Sequence, residues 1–318
     1  MSANSLRVGV VMDPIESITP KKDSSLAMLL EAERRGAEIH YLQQADLKLL
    51  AGEAFGTSTI LNVRDHLSDW FTLGHEQEIS LGELDVILMR KDPPFDMEYI
   101  YTSYILERAE DAGALIVNRP QSLRDMNEKA YTAWFGECAP LTMVTRSMSE
   151  MKAFLQEYGR IVVKPLDGMG GKSIFVVAAG DQNANVIFET LTDNGNRYAM
   201  AQVFIPEISE GDKRILLIDG EPIPYALARI PSPDDNRGNL VVGAIGKGLE
   251  LSKRDRWICA QVGPVLKERG VIFAGIDVIG DYLTEINVTS PTGIREIDTA
   301  FDLNIAGTLF DAIEARLG

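Results

Sequence analysis

Two short stretches of the chain carry side chains whose types and spacing could do chemistry. In "VIFAGIDVIGDYLTEINVTSP", residues 271–291, a largely apolar run is interrupted by Asp277, Glu285 and Asn287. Carboxylate and amide oxygens are ligands for hard cations such as magnesium. Glu285 and Asn287 stand two apart in a strand-like run and so share a face. Where Asp277 points depends on the turn. A two-residue Gly280-Asp281 turn pairs 277 with 284 and sends Asp277 to the other face, whereas a three-residue loop over 280–282 pairs 277 with 285 and gathers all three oxygens. The three-residue loop is the expectation. A half-solvated strand pair with its polar side chains in water is the alternative. The apolar surroundings weigh against it, because charged carboxylates are costly to bury without a partner. A pair of magnesium ions, completed by nucleotide phosphates, would be such a partner.

The second stretch is "VVKPLDGMGGKS", residues 162–173. It ends like a phosphate-binding Walker loop, but the first glycine of that pattern falls on Leu166. The residues that follow, 173–177, are β-branched and aromatic and read as a strand, where a Walker loop must open a helix. The stretch is therefore a strand (161–164), a glycine-rich turn (167–171) and a second strand. Amides of Gly168, Gly170 and Gly171, unshielded by a Cβ, can cover a phosphate, and Lys164 at the strand end can neutralise it. A plain glycine turn is the alternative.

The bulk of the chain narrows the classes. Its 318 residues suggest roughly two domains with real cores. Lys and Arg number 31 against 47 Asp and Glu, a net charge of −16 that repels nucleic acid and anionic membranes. Cys138 and Cys259 lie far apart with no C-x-x-C neighbour, so neither a disulfide framework nor a zinc site is indicated. The three histidines, 40, 66 and 75, all fall in the first quarter, and no G-x-S-x-G occurs. Apolar runs are too short for a signal peptide or a membrane span, so a cytoplasmic protein is expected.

The elements that must position these residues alternate in type over the first 120 positions. A strand at 6–12, a helix from the Asp23-Ser24-Ser25 caps to Arg35, and a strand at 38–42 make a βαβ unit. A strand at 84–89, a helix at 99–112 and a strand at 115–117 continue it, which predicts a parallel α/β layer. No G-x-G-x-x-G follows the first strand. Beyond Asn118 the texture changes. Ser122 with Asp125 suggests a capping box opening a helix to about Phe135 that carries Lys129. A strand at 142–145, a helix at 149–158, the glycine hairpin and a strand at 198–205 follow as a small α+β piece. A hairpin at 213–218 and 222–230 turns through Asp219-Gly220. Residues 231–248, with two prolines and four glycines, read as a long functional or mobile loop. A helix spans about 253–269.

Taken in order, a lysine on a lid helix (Lys129), a lysine ending a lid strand (Lys164), a glycine-rich hairpin and a late D…E-x-N strand pair resemble the ATP-grasp ligases. Whole phrases resemble the bacterial glutathione synthetases: "DPIESITPKKDSS", "LMRKDPPFD", "NRPQSLRDMNEK", "KPLDGMGGKSIF", "GDKRILLIDGEP" and "LTEINVTSPTGIREI". The resemblance covers essentially the whole chain. It implies an α/β ATP-grasp fold with an N-terminal Rossmann-like α/β domain (1–122), a central α+β lid (123–203) and a C-terminal catalytic domain (204–318) with the mobile loop 231–248.

The implied reaction joins γ-glutamylcysteine to glycine with conversion of ATP to ADP and phosphate, in the cytoplasm and in a homotetramer. Lys129, Lys164 and the amides of Gly168, Gly170 and Gly171 would hold the nucleotide phosphates. Gln202, Val203, Phe204 and Ile205 would bind adenine, with Asp212 also on the nucleotide. Asp277, Glu285 and Asn287 would carry two magnesium ions, for which manganese can substitute. Arg214 and Arg229 would stabilise the transferring phosphoryl group and the tetrahedral oxyanion. Arg90, Asn287, Ser290 and Thr292 would grip the dipeptide. Lys172 stands where the family pattern allows a small residue, and Gly293 where it allows a cysteine. The rival readings are another ATP-grasp ligase, such as a D-alanine ligase or a glutamate-adding enzyme, and a catalytically silent nucleotide-binding protein.

Overall fold

The computed structural model describes residues 5–168, 170–231 and 245–318. Three sheets carry the architecture. The first contains β1 (Arg7–Val11), β2 (Glu38–Leu42), β3 (Leu47–Leu50), β4 (Glu53–Val63), β5 (Phe71–Ser80), β6 (Val86–Met89) and β7 (Leu115–Val117), in the order β3-β4-β2-β1-β6-β7 with β5 on β4. Helices α1 (Ser24–Arg34), capped by the Asp23 carboxylate on the Leu26 amide, and α2 (Met97–Asp111), capped by Asp96, make its crossovers. Strands β2, β1, β6 and β7 run parallel, as alternation of elements requires.

The layer is nevertheless mixed. Strands β3, β4 and β5 are antiparallel additions that the parallel expectation left out. Their signal was present: β4 alternates buried and exposed residues, and β3 meets it through the two-residue turn Ala51-Gly52, with φ of 53° and 87°. Both turn residues are left-handed, which Gly accepts and Ala resists, so this turn lacks the usual Asn-Gly signature.

The second sheet contains β8 (Thr142–Thr145), β9 (Arg160–Pro165), β10 (Phe175–Ala178) and β11 (Ala199–Val203), in the order β10-β9-β11-β8 and antiparallel throughout. It is preceded by the short helix α3 (Pro120–Asp125) and covered on one face by α4 (Met148–Tyr158) and α5 (Ala184–Thr192). Ile161, Val163, Val177, Ala199 and Ala201 point to those helices and pack with Met151, Phe154, Leu155, Phe188 and Leu191 in a separate core. Alternation then leaves Val162, Lys164, Val176 and Gln202 on the opposite face.

The helix expected from Ser122 to Phe135 does not form. Arg119 caps α3 and Pro120 fills its first turn, where a missing N–H costs nothing. The Ser122 hydroxyl donates instead to Arg269 O. Asn127 then restarts the chain: its Oδ1 accepts from the amides of Lys129 and Ala130, opening a separate 3-10 turn at Ala130–Phe135. Lys129 therefore caps a turn and does not ride a helix.

The third sheet contains β12 (Asp212–Ile218), β13 (Glu221–Ile230), β14 (Ile245–Glu250), β15 (Phe273–Ile279) and β16 (Tyr282–Asn287), in the order β14-β13-β12-β15-β16. Helices α6 (Lys253–Glu268), α7 (Ile294–Phe301) and α8 (Ile305–Leu317) complete it. Asp219 and Gly220 (φ 49° and 85°) form the left-handed turn that Asp-Gly predicts. The expected loop 231–248 ends early, because residues 245–248 pair with β13 as part of β14. The rest of it, 232–244, lies outside the described residues.

The first and third sheets share their cores: Val11, Leu42 and Met89 belong with Ile215, Ile276 and Val278 in one cluster. Asn118 stitches the two. Its Nδ2 donates to Phe273 O and Val288 O, and its Oδ1 accepts from Ile272 N and Phe273 N, all at 2.6–2.8 Å. The side chain is 2% exposed, so Asn118→Ala would strand four buried backbone groups. At about 1–3 kcal/mol for an unsatisfied buried group, with partial rescue by water, a loss of about 3 kcal/mol is expected, read as a lowered urea midpoint with an unchanged slope. Among the described residues no helix is long and apolar enough to cross a membrane.

Candidate active site

The second and third sheets face one another across a cavity of about 610 Å³, closed on its third side by the loop from β1 to α1. On the third sheet the register does the assembly. Arg214 on β12 lies directly opposite Asp277 on β15, Asp277 opposite Glu285 on β16, and Asp212 opposite Arg229 on β13. Side chains two apart on a strand share a face, so Asp212, Arg214, Arg229, Asp277, Glu285 and Asn287 all line the cavity.

The pairing of 277 with 285 is the expected one, but the turn that produces it is not. Ile279 pairs with Tyr282 across a two-residue Gly280-Asp281 turn, and Val278 pairs with Leu283. Taken alone, that register would have put Asp277 opposite Thr284. A β-bulge at Thr284 adds the one residue that restores the alignment, and the Thr284 hydroxyl donates back to Asp277 O at 3.2 Å. A short turn plus a bulge is equivalent to the longer loop in its effect on side chains.

Asp277 is 3% exposed and is the electrostatic centre of the sheet face. Its carboxylate accepts Arg214 Nε at 2.5 Å and Nη2 at 3.0 Å, Arg229 Nη2 at 2.9 Å and Asn287 Nδ2 at 3.3 Å. Burial alone would raise its pKa, but the two guanidiniums outweigh burial and hold the carboxyl far below the usual range. Arg229 also pairs with Asp212. Burial dominates at Asp212 and, with the nearby Asp277 and Glu285 charges, lifts its carboxyl to about 7 against the pull of Arg229. Its Oδ1 is buried without a hydrogen-bond partner among the described residues.

Opposite this face stand two buried lysines. Lys164, at the end of β9, and Lys129 place their Nζ atoms 3.9 and 3.8 Å from Glu285 Oε1. Lys129 Nζ also donates to Gly168 O at 2.6 Å and pairs with Glu128. Burial works against its charge, yet Glu285 and Glu128 hold its pKa above the ordinary lysine value. Burial prevails at Lys164 and lowers it. The glycine-rich turn lies beside them. Gly170 and Gly171 have φ of 67° and 76°, and a Cβ on Gly168 would come within 2.7 Å of Pro165 Cγ. Lys172 is exposed and stands outside the cavity lining. Gln202, Val203, Phe204 and Ile205 line the end of the cavity, where Val162, Ile174, Val176, Ile208 and Ile279 add apolar walls of a kind that suits a flat ring.

Ser290 and Thr292 line the side toward the first sheet, with Thr292 O accepting from Arg214 Nη1 at 3.3 Å. Arg90 does not reach the cavity. It is 5% exposed behind the wall, where Nε donates to Ser25 Oγ, Nη2 donates to Pro291 O, and the guanidinium lies over the Phe273 ring. Its place just past the end of β6 carries it inward. Sequence reasoning missed Glu128, although it adjoins Lys129. It also missed Lys22 and Glu296, which line the same cavity. No spacing rule marks any of the three, because each reaches the site from a separate loop or helix end.

The donor set fits a hard divalent cation. Asp277, Glu285 and Asn287 offer two carboxylates and an amide on one face, and magnesium commonly takes one or two carboxylates and completes its shell with phosphates and water. Among the described residues no group of three or more His, Cys, Asp or Glu alone could hold a metal.

A glycine-rich antiparallel lid facing a carboxylate-bearing sheet defines the ATP-grasp class. The chain superposes on D-cycloserine synthetase DcsG with a TM-score of 0.68 at 15% identity, over 98% of this chain and 100% of the other. With D-alanine–D-alanine ligase from Bacillus anthracis complexed with ATP the TM-score is 0.60 at 15% identity, over 99% and 97%. At such identities the likeness concerns the fold alone. Family models narrow it: residues 6–124 match the prokaryotic glutathione synthetase N-terminal domain, and residues 128–302 match the prokaryotic glutathione synthetase ATP-grasp domain. Glutathione synthetase of Vibrio cholerae is 59% identical over 98% of both chains, and that of Salmonella typhi is 59% identical over 98% of this chain and 99% of its own. The chain belongs to the prokaryotic glutathione synthetase family.

Proposed function

We propose that the chain ligates γ-L-glutamyl-L-cysteine to glycine, forming glutathione while ATP is converted to ADP and phosphate. The observation that carries this reading is the single cavity in which two buried lysines, a glycine-rich turn, an acid-amide trio and two arginines meet. A carboxylate resists an amine until one oxygen becomes a leaving group. The cysteinyl carboxylate attacks the γ-phosphorus, the bond to the bridging β,γ-oxygen breaks, and an acyl phosphate and ADP result. Glycine's amine then adds to the acyl carbon, and the tetrahedral intermediate expels phosphate as the nitrogen loses its proton.

Phosphoryl transfer asks the protein chiefly for position and positive charge. Lys129 and Lys164 hold the phosphates, and the amides of Gly168, Gly170 and Gly171 cover them. Gln202, Val203, Phe204 and Ile205 take the base, with Asp212 nearby on the nucleotide side. Asp277, Glu285 and Asn287 would hold magnesium, two ions with manganese as a substitute, which would supply charge neutralisation at the phosphates. Arg214 and Arg229 face the transferring group with planar forks suited to two oxygens. Ser290, Thr292 and Asn287 contact the dipeptide, and Arg90 braces the Pro291 wall behind them. A cytoplasmic homotetramer without nucleic-acid or membrane partners accords with the family and with the charge of −16.

The test is ADP release by the purified chain with ATP, magnesium, γ-glutamylcysteine and glycine, each omitted in turn, with the product weighed by mass spectrometry. Turnover that needs all four and yields the tripeptide is the expected result. ADP release without tripeptide would remove the substrate assignment and leave another ATP-grasp ligase.

A further inference from the structure

The cavity extends past the reacting centre toward the first sheet, and there two opposite charges face the same space, neither in a side-chain hydrogen bond or ion pair among the described residues. Glu296, in the first turn of α7, lines the cavity, and its Oε2 is buried with no hydrogen-bond partner among the described residues. Lys22, in the loop before α1, lines the same end, and among the described residues its ammonium makes no ion pair or hydrogen bond. The two side chains are close enough to feel one another's charge, and Glu296 also feels Arg214 at the reacting centre. Their relative position is fixed by the fold. Ser24 Oγ, two residues after Lys22, accepts the amides of Gly293 and Ile294 at 3.1 and 3.2 Å, pinning the start of α7 to the start of α1.

A buried carboxylate oxygen with no donor is costly, and one that borders a cavity can take its donor from a ligand there. Of the other acids at this end, Asp13 accepts the Asp92 amide and pairs with Lys91, and Asp23 caps α1, while the Asp92 carboxylate, in the loop after β6, has no donor among the described residues. Burial raises the Glu296 carboxyl against the pull of its own amide and of the Lys22, Arg295 and Arg214 charges.

We infer that Glu296 and Lys22 form a zwitterion clamp, in which Glu296 accepts the α-ammonium of the γ-glutamyl end and Lys22 pairs with its α-carboxylate. This rests on the ligase reading above and names how that site would select a γ-glutamyl over an α-linked or simple acyl group. The dipeptide is the one substrate of the three whose non-reacting end carries both charges on one carbon. It would extend from the Arg214 region, where its cysteinyl carboxylate reacts, to this corner. Neither residue touches the reacting atoms, so both act on selection and not on the chemical step.

The experiment uses the full-length chain and three acceptors: γ-glutamylcysteine, N-glutarylcysteine, which lacks the α-ammonium, and 4-aminobutyrylcysteine, which lacks the α-carboxylate. Glu296→Gln is expected to raise the KM for γ-glutamylcysteine at least tenfold, to leave the KM for N-glutarylcysteine within threefold of wild type, and to leave that for ATP unchanged. Lys22→Met should show the converse pattern, sparing 4-aminobutyrylcysteine. A purely structural role would raise all the KM values or lower kcat without regard to the acceptor, and either result overturns the clamp. So does Glu296→Gln with an unaltered KM for the dipeptide. Calorimetric titration with the dipeptide keeps the two levels apart: a wild-type chain that neither binds nor ligates it overturns the ligase reading and the clamp with it, whereas tight binding and turnover with no acceptor-specific loss overturns the clamp alone.

Discussion

Arg214→Met is expected to lower kcat by about 10²–10³-fold while moving the KM for ATP little. The loss has a structural and a chemical part. Arg214 donates to both oxygens of Asp277 and to Thr292 O, so one side chain joins the acidic trio to the wall that carries Ser290 and Thr292. Methionine keeps the length and apolar stem but removes every donor. Asp277 then keeps only Arg229 and Asn287 as partners in a buried site, and breaking a buried pair costs about 3–5 kcal/mol. The chemical part is the lost donor where charge develops, worth about 3–4 kcal/mol at preorganised sites. Arg214→Lys separates the two: it restores a charge but not the fork, so stability should recover more than kcat does. Urea unfolding and single-turnover ADP formation on the same preparations check both. Turnover by Arg214→Met within threefold of wild type would take Arg214 out of the reaction.

Much of this site was legible in the chain because strands make one-dimensional information spatial. A residue two places on returns to the same face, so Glu285 with Asn287 could be placed from spacing alone, whereas Asp212 and Arg214 entered through the family resemblance. The glycine hairpin was legible too: Gly168, Gly170 and Gly171 mark a turn, the β-branched and aromatic residues after it mark a strand, and β9 and β10 pair as read. The turn at 280–281 was misjudged although its outcome was right, because the bulge at Thr284 depends on its contact with Asp277 O and no local residue preference announces it. Lys129 was found by resemblance and misplaced by capping logic, since Asn127 stops one helix and starts another turn within three residues. Arg90, Glu128, Lys22 and Glu296 were misplaced or missed because loop and helix-end positions carry no period. What places each of them is a long-range tie, such as Ile286 N to Glu128 O or Gly293 N to Ser24 Oγ.

Glu285→Gln separates metal binding from nucleotide binding, and turnover is expected to fall by about 10²–10³-fold. Glu285 faces both buried lysines at 3.8 and 3.9 Å, distances longer than hydrogen bonds, so its carboxylate balances their charge without being held tightly by either. Nucleotide phosphates would take over that balancing role, freeing Glu285 for a cation. Glutamine fills the same space and keeps an oxygen, so the sheet and its bulge should survive with little change in stability. It removes one negative charge beside the lysines, so ATP in the absence of magnesium should bind as well as to wild type or better. Metal-assisted charge stabilisation is worth several kcal/mol, and about 1.4 kcal/mol is a tenfold change in rate, which sets the expected loss. Calorimetry with ATP alone and with magnesium-ATP reads the distinction directly. Wild type should gain affinity from the metal and Glu285→Gln should not. Full turnover by Glu285→Gln, or an undiminished gain from magnesium, would move the cation away from β16 and leave Glu285 as a counter-charge for Lys129 and Lys164.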